Sequence, residues 1–225
     1  MSVIAFIPAR GGSKSIPEKN IKYFCGKPLI YWNLHELQKS EVDEIVVATD
    51  SDNIKLVVES FKFSKVKVYD RSSENSQDTS STESVMIEYI NSSDLSGSDT
   101  FMLVQATSPF TQTSHFNEGL ELFNNHESIL SCCISKKFTW KEDGQALNYD
   151  IYNRPRRQDY KGDLIENGAF YISSVSDIKE TGNRISGKIG IYQMPEYTCT
   201  EIDEIEDWIV AESLMRRFIL NHKKR

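Results

Sequence analysis

The sequence predicts an α/β fold: a doubly wound, Rossmann-like, mainly parallel sheet in one domain spanning 1–225, with an inserted dimerisation arm at about 136–190. Two observations carry the sheet. Apolar runs rich in β-branched residues recur at 3–7, 45–48, 66–69, 101–104 and 129–134, and helix-length stretches at 28–39, 52–61, 80–91 and 113–125 separate them. Strands alternating with helices of that length call for right-handed crossovers, which lay the strands parallel and cover both faces of the sheet. A third observation carries the arm. From Lys136 the rhythm stops, and residues 136–165 are polar, irregular and dense in Arg, Lys and Asp.

Taken in order, Val3 to Ile7 form the first strand, which breaks at Pro8. In the helix at 28–39, Leu29, Ile30, Trp32, Leu34 and Leu37 approximate one face; in that at 80–91, Val85, Met86, Tyr89 and Ile90 do. The Ser-, Asn- and Asp-rich segment from Arg71 to Thr82 is a loop rather than a linker between domains. Two strand-like runs, Ala169–Ile172 and Lys188–Met194, follow the polar segment. The arm's tyrosines and arginines suit contact with a second subunit, against which stands an equal case for a long solvated excursion. From Asp203 onward, Ile205, Trp208, Ile209, Met215, Phe218 and Ile219 form the stripe of a final helix packed on the core. The basic end, His222 to Arg225, suits a helix C-terminus.

Composition narrows the function classes. A net charge of -7 disfavours general nucleic-acid binding, which needs an excess of Lys and Arg. No apolar run approaches the ~20 residues of a membrane span, and the N-terminus lacks the pattern of a secretory leader, so a cytoplasmic protein is expected. Cys25, Cys132, Cys133 and Cys199 form no CxxC pair, and Cys132 and Cys133 suit buried small hydrophobes. His35, His115, His126 and His222 are scattered, which leaves a histidine zinc site or a Ser-His-Asp hydrolase without support.

The polar residues gather where a parallel sheet binds ligands, at the carboxyl ends of its strands. The first strand leads into Arg10-Gly11-Gly12-Ser13-Lys14, with Lys19 just beyond; glycine amides and cations of that kind suit a polyphosphate. The second ends in Thr49-Asp50-Ser51-Asp52, the third in Asp70-Arg71 and the fourth in Gln105-Ala106-Thr107-Ser108-Pro109. Each alone is compatible with a solvated loop or a helix cap; four on one edge favour a shared pocket. A polyphosphate in an acidic protein calls for Mg²⁺ (or Mn²⁺) held by carboxylates and phosphate oxygens. Glu201 and Asp203 share one side of an extended segment, but Asp203 with Glu206 matches a capping box equally well.

These residues resemble the CMP-sialic acid synthetases, the cytidylyltransferases that activate nonulosonic acids. The similarity rests on Ala9-Arg10-Gly11-Gly12-Ser13-Lys14 with Ile16-Pro17, Lys19 and Asn20, on Val47-Ala48-Thr49-Asp50, and on Gln105 with Thr107-Ser108-Pro109. It extends through Arg154-Pro155-Arg156-Arg157-Gln158-Asp159, which is similar to the animal-type branch, Glu166-Asn167-Gly168-Ala169-Phe170-Tyr171 and Asp207-Trp208. The resemblance implies that CTP and a nonulosonic acid give a CMP-sugar and pyrophosphate, a step of cell-surface sugar activation. It implies that Ala9, Arg10, Gly12, Ser13, Lys14, Lys19 and Asn20 hold CTP, with Arg71 and Thr82 near cytosine and ribose. Gln105 and Tyr171 would contact the sugar acid, and Arg156 and Lys141 would reach in from the neighbouring subunit of a homodimer. Asp203 with Glu201 would bind magnesium, and Lys19, Asp203 and Arg156 would be the catalytic set.

Three positions depart from the family's usual pattern. Glu201 stands where Asp is usual, Ala106 replaces a Pro, and Thr111 lies near where many members carry Arg. They leave the triphosphate-binding set intact and bear on the sugar. N-acetylneuraminic acid is the expected substrate; legionaminic, pseudaminic or deaminated nonulosonic acids are alternatives, and so is a nucleotide-binding regulator without turnover.

Overall fold

The computed structural model describes residues 1–77 and 79–221. In β1 (Val3–Pro8), alternate side chains go to opposite faces of the sheet: Ala5 and Ile7 join one apolar cluster, Ile4 and Phe6 another. A two-stranded hairpin of β2 (Tyr23–Phe24) and β3 (Lys27–Pro28) leads into α1 (Leu29–Leu37). The chain then runs through β4 (Glu44–Thr49), α2 (Asp52–Ser60), β5 (Val66–Asp70), α3 (Thr82–Ser92), β6 (Thr100–Val104) and α4 (Thr113–Phe123). After β7 (Ser128–Ser135) come the segment 136–162, β8 (Asp163–Ser174), α5 (Val175–Thr181), β9 (Ile189–Met194) and α6 (Ile205–Met215), which ends in a π-helical turn at Arg216–Leu220. Serines start the helices near the site: the Ser51 hydroxyl accepts from the Ile54 amide, and that of Ser81 from the Ser84 amide.

Seven strands form one sheet in the order β5-β4-β1-β6-β8-β7-β9. β1 pairs in parallel with both β4 and β6, while β8 is antiparallel to β6 and β7, so β8 alone runs against the rest. Helices cover both faces. Ile30 and Leu34 of α1, Ile54 and Val58 of α2 and Phe116 of α4 pack on one; Val85, Met86, Tyr89 and Ile90 of α3 and Val175 and Ile178 of α5 pack on the other. Among the described residues no helix is long and apolar enough to cross a membrane.

A third cluster positions the site. Ile16 of the opening loop packs with Phe24, Leu29, Phe110, Ile202, Trp208, Ala211 and Met215. Burying Ile16 and Ile202 together draws the start of the chain against the segment just before α6.

Several expectations change. Of the arm placed at about 136–190, only 136–162 stands outside the sheet; β8 and β9 belong to it because their apolar residues complete its core. In α6 the buried residues are Trp208, Ala211 and Met215, whereas Ile205 and Ile209 face solvent: Trp208, Ala211 and Met215, three and four residues apart, define the packed stripe. Cys133 is buried as expected, but its sulfur is bonded to that of Cys199, their Cα atoms 5.9 Å apart, while Cys132 stays a free buried thiol. Residues 222–225, where the basic end falls, lie outside the described residues.

Candidate active site

β4 lies on one side of β1 and β6 on the other, so the strand order reverses between β1 and β6. In doubly wound sheets such a reversal opens a crevice at the carboxyl ends of the strands. Here that crevice measures about 360 Å³. Pro8 at the end of β1, Arg10 just beyond it, and Gln105 and Ala106 after β6 form its floor, Ser13, Lys19 and Asn20 one wall, and Arg71 with Ser81, Thr82 and Val85 the other. Seven residues singled out in the sequence therefore share one cavity: Arg10, Ser13, Lys19, Asn20, Arg71, Thr82 and Gln105.

Local hydrogen bonds shape the opening loop. The buried Asn20 donates its side-chain amide to the Arg10 carbonyl at 3.1 Å, closing residues 10–20 into a compact turn. The Gly11 amide is not open to a ligand, because it donates to Asp50 Oδ1 at 2.9 Å. Gly11 is needed for closeness instead, since a Cβ there would sit 2.8 Å from that of Ser51. A Cβ added at Gly12 would meet nothing within 4 Å, so that face of the loop is open. Ala9 is fully buried beneath the loop, and Gly12 and Lys14 ride on it outside the cavity lining.

Lys19 joins the two ends of the chain. Its ammonium donates to the Ile202 carbonyl at 2.8 Å and to Asp203 Oδ1 at 3.1 Å. The Lys19 side chain is 14% exposed and that of Asp203 is 67% exposed, so the carboxylate remains open to solvent. Asp203 does not cap α6. The cap is Glu204, whose amide donates to Asp207 Oδ2 at 2.8 Å, one residue later than the Asp203–Glu206 pattern suggested. The reason is the competing bond from Lys19, which takes the Asp203 side chain away from the helix.

Glu201 lies deeper. Gly168, at φ +61°, lets Glu201 and Gln105 approach: a Cβ at Gly168 would stand 2.5 Å from Gln105 Oε1 and would also collide with Glu201 Oε2. Burial raises the Glu201 carboxyl above its ordinary pKa, repulsion from Asp203 and Glu166 adds to this, and Lys19 opposes it. Among the described residues no cluster of three or more His, Cys, Asp or Glu side chains is placed to hold a metal. The two carboxylates singled out in the sequence, Glu201 and the solvent-open Asp203, are close enough to repel one another. That donor set fits Mg²⁺, which keeps several waters and takes one or two carboxylates together with substrate phosphates.

The far wall depends on residues the sequence did not single out. Arg71 donates to the Asn75 carbonyl, and its Nε is buried with no partner among the described residues. A charged donor left so beside a cavity is a natural hook for ligand oxygen. Glu88 of α3 holds the loop that carries it, accepting from the Ser72 amide at 2.9 Å, the Ser72 hydroxyl at 2.6 Å, the Tyr69 hydroxyl at 2.9 Å and the Asn75 side chain. Burial would raise this carboxyl, but those hydrogen bonds outweigh it and bring it down to about 2. On the floor, the buried Asn33 of α1 donates to the Gln105 carbonyl at 3.0 Å. Asn33 is an amide on an otherwise apolar helix face, a signal present in the sequence; Glu88 carries no such mark.

Three expected residues stand away from the crevice. Tyr171 is buried in β8 and donates to Glu166 Oε2 at 2.8 Å. Lys141 and Arg156 lie on the arm, Lys141 bonded to Gln145 Oε1 at 2.8 Å and Arg156 to Asp159 Oδ2 at 2.6 Å. The arm is organised around aromatic contacts, with Arg154 stacked on Phe138 and Tyr149.

Comparisons with known proteins bear on this geometry. A family model described as cytidylyltransferase matches residues 4–212. N-acylneuraminate cytidylyltransferase B of Danio rerio is 39% identical over 223 residues, 95% of this chain and 51% of that protein. The corresponding protein of Oncorhynchus mykiss is 39% identical over 227 residues, again 51% of its length, so the chain spans about half the length of these curated relatives. A pseudaminic acid cytidylyltransferase of Campylobacter jejuni is 28% identical over 235 residues and is covered, like this chain, to 99%. Among solved structures, a CMP:2-keto-3-deoxy-manno-octonic acid synthetase complexed with CTP superposes with a TM-score of 0.71 at 18% identity, over 96% of this chain and 99% of that one. At that identity the likeness shows the doubly wound fold.

Proposed function

Because this chain belongs to the cytidylyltransferase family, we propose that it transfers CMP from CTP to the anomeric hydroxyl of a nonulosonic acid, N-acetylneuraminic acid foremost, and releases pyrophosphate. The observation that carries the reading is the crevice where the strand order reverses, walled by Ser13, Lys19 and Asn20 against Arg71 and Thr82 and floored by Arg10 and Gln105. The names of the Danio and Oncorhynchus relatives support the sugar. The Campylobacter relative, matched over nearly its whole length, favours pseudaminic acid as a second candidate.

In this reading the triphosphate lies along the opening loop, where Arg10, Lys14 and Lys19 offset its charge, the Ser13 hydroxyl donates to its oxygens and Gly12 leaves room. The sugar hydroxyl attacks the α-phosphorus and gives up its proton to solvent water, the bond from that phosphorus to the α–β bridging oxygen breaks, and pyrophosphate leaves with the electron pair. Little covalent work falls to the protein, so catalysis is alignment and charge neutralisation. Arg71 Nε, with no partner among the described residues, would be available to the nucleotide's ribose or base. Gln105 is placed to read the sugar acid by donating and accepting at once. Asp203 and Glu201 would hold Mg²⁺, whose charge, when bound, screens the phosphates and makes the sugar hydroxyl more acidic. Lys141 and Arg156, too far out on the arm to line their own crevice, would serve that of a partner in a homodimer. We place the protein in the cytoplasm, where CTP is made; there the Cys133–Cys199 pair would stand as two thiols.

The test is pyrophosphate release by purified protein given CTP, Mg²⁺ and a panel of nonulosonic acids, with N-acetylneuraminic and pseudaminic acids as the principal arms. Release with one of them is expected. CTP binding without release on any would support a nucleotide-binding regulator instead.

A further inference from the structure

We propose that Cys199 is the accessible half of a reversible disulfide with Cys133, reached by small anionic thiols through a basic cavity at the root of the arm. Cys133 sits in β7 and is fully buried, while Cys199 ends the short helical turn Glu196–Cys199 that follows β9. Their sulfurs are bonded and their Cα atoms lie 5.9 Å apart, within the span a disulfide needs. The neighbouring Cys132 takes no part. Successive residues of a strand face opposite ways, and Cys132 packs in the cluster of Leu130 and Tyr171 as a free thiol.

Of the bonded pair, Cys199 lines a cavity of about 350 Å³. Lys136, Lys137 and Arg157 bring three cations to its lining against one carboxylate, Glu196, which lies 3.9 Å from Arg157. Ile134 and Ile165 supply the apolar part. In a chain of net charge -7 this is a local reversal of sign. Such a lining concentrates a reagent that carries carboxylates and disfavours a cationic one. The volume is that of a small-molecule cleft, so the reagent it fits is an acidic peptide thiol rather than another protein.

In the exchange, the sulfur of an incoming thiolate attacks Cys199 Sγ and the Cys133–Cys199 bond breaks. Cys133 Sγ leaves with the electron pair and takes a proton from solvent. A second thiolate attacks the reagent's own sulfur in the mixed disulfide, and Cys199 Sγ leaves with its pair and is protonated in turn. The protein's disulfide is thus reduced to two thiols while two reagent thiols are oxidised to one disulfide; with that disulfide as oxidant, the reverse sequence closes the bond. Closed, it ties β7 to the segment leading to Ile202, whose amide donates to the Thr107 carbonyl at 3.0 Å and whose carbonyl accepts from Lys19. Reduction removes that covalent anchor from just upstream of the Lys19 contact.

The experiment uses the full chain carrying Cys25→Ser, because Cys25 is also partly exposed. After treatment with excess glutathione disulfide, peptide mass mapping should find Cys133 joined to Cys199; two persistent thiols would overturn the proposal. Reduction rates are then measured with glutathione, which is acidic, and cysteamine, which is cationic, before and after combining Lys136→Gln, Lys137→Gln and Arg157→Gln. Neutralising the cations should slow glutathione about tenfold without slowing cysteamine, a comparison from which the reagents' intrinsic reactivities cancel. Raising salt from about 0.05 M to about 0.5 M should slow glutathione in the same selective way, and this arm stands if the triple variant fails to fold. With Cys133→Ser, glutathione disulfide should load Cys199, whereas with Cys199→Ser the folded protein should leave Cys133 unmodified. Glutathione and cysteamine responding alike to both charge removal and salt, or an adduct on Cys133 instead, would overturn the assignment. No arm uses CTP or a sugar, so failure here and failure of the proposed reaction are read separately.

Discussion

Lys19 and Asp203 come from opposite ends of the chain, and their 3.1 Å contact ties the opening loop to the segment before α6. Two properties set Asp203 apart from an ordinary cap. It lies outside the capping pair of Glu204 and Asp207, and it is two-thirds exposed, so its carboxylate contributes little to holding the fold together. Asp203→Asn should therefore leave the melting temperature within about 2 °C of the parent, in keeping with an exposed pair worth under about 1 kcal/mol. Turnover should fall by at least about a hundredfold, as expected when a charge acting on a phosphoryl-transfer site is removed. Calorimetry beside a pyrophosphate-release assay checks both; a melting loss that accounts for the whole defect would make Asp203 a structural residue. The sequence made the types of these residues legible but not their partners. Asp203 beside Glu206 is a valid cap pattern, and only the burial of Ile16 against Ile202, a contact between distant segments, brings Lys19 close enough to claim the side chain.

At the scale of elements, the wall carrying Arg71 is held by α3 through Glu88. The sign of its pH dependence follows from the depressed carboxyl, which lies at about 2 in the fold against an ordinary value of 4.5. A group shifted this way contributes stability that is present above pH 4.5 and lost as the pH falls toward 2. Glu88→Gln should lower the melting temperature at pH 7 by about 2–4 °C, the effect of about 1 kcal/mol in a chain of this size. The gap to the parent should close progressively below pH 4.5, which melting curves between pH 7 and pH 2.5 would show. A constant gap across that range would mean that the charge of Glu88 is not what holds the loop. The βα rhythm was legible because each strand and helix buries a periodic apolar face. The role of Glu88 was not, because α3 shows it only as a polar residue between buried ones, and its partners Ser72 and Asn75 lie in a loop with no periodicity of its own. The exposed Ile205 and Ile209 mark the opposite failure: the stripe read through Ile205, Trp208, Ile209, Met215, Phe218 and Ile219 divides between a buried face carrying Trp208 and Met215 and an exposed one carrying Ile205 and Ile209.

For the whole molecule, a single chain brings Arg10, Ser13, Lys19, Asn20, Arg71, Thr82 and Gln105 into one crevice but leaves Lys141 and Arg156 on the arm. The proposed recruitment of these two to a partner's crevice would require two chains. In mixed dimers of Arg156→Ala with a pocket variant such as Lys19→Ala, half of the crevices in each heterodimer would regain both residues. Activity should then recover well above that of either parent, and gel filtration should show one dimeric species. No recovery on mixing would confine each site to its own chain. The central claim is narrower than the assembly: the reversal of strand order between β1 and β6, with the loop from Arg10 to Asn20 above it, is where CTP binds. The direct measurement is a crystal of this protein soaked with CTP and Mg²⁺. The account predicts triphosphate density against Arg10, Ser13 and Lys19, with the base toward Arg71 and Thr82. Nucleotide bound away from that crevice, or a crevice left empty at saturating CTP, would contradict it.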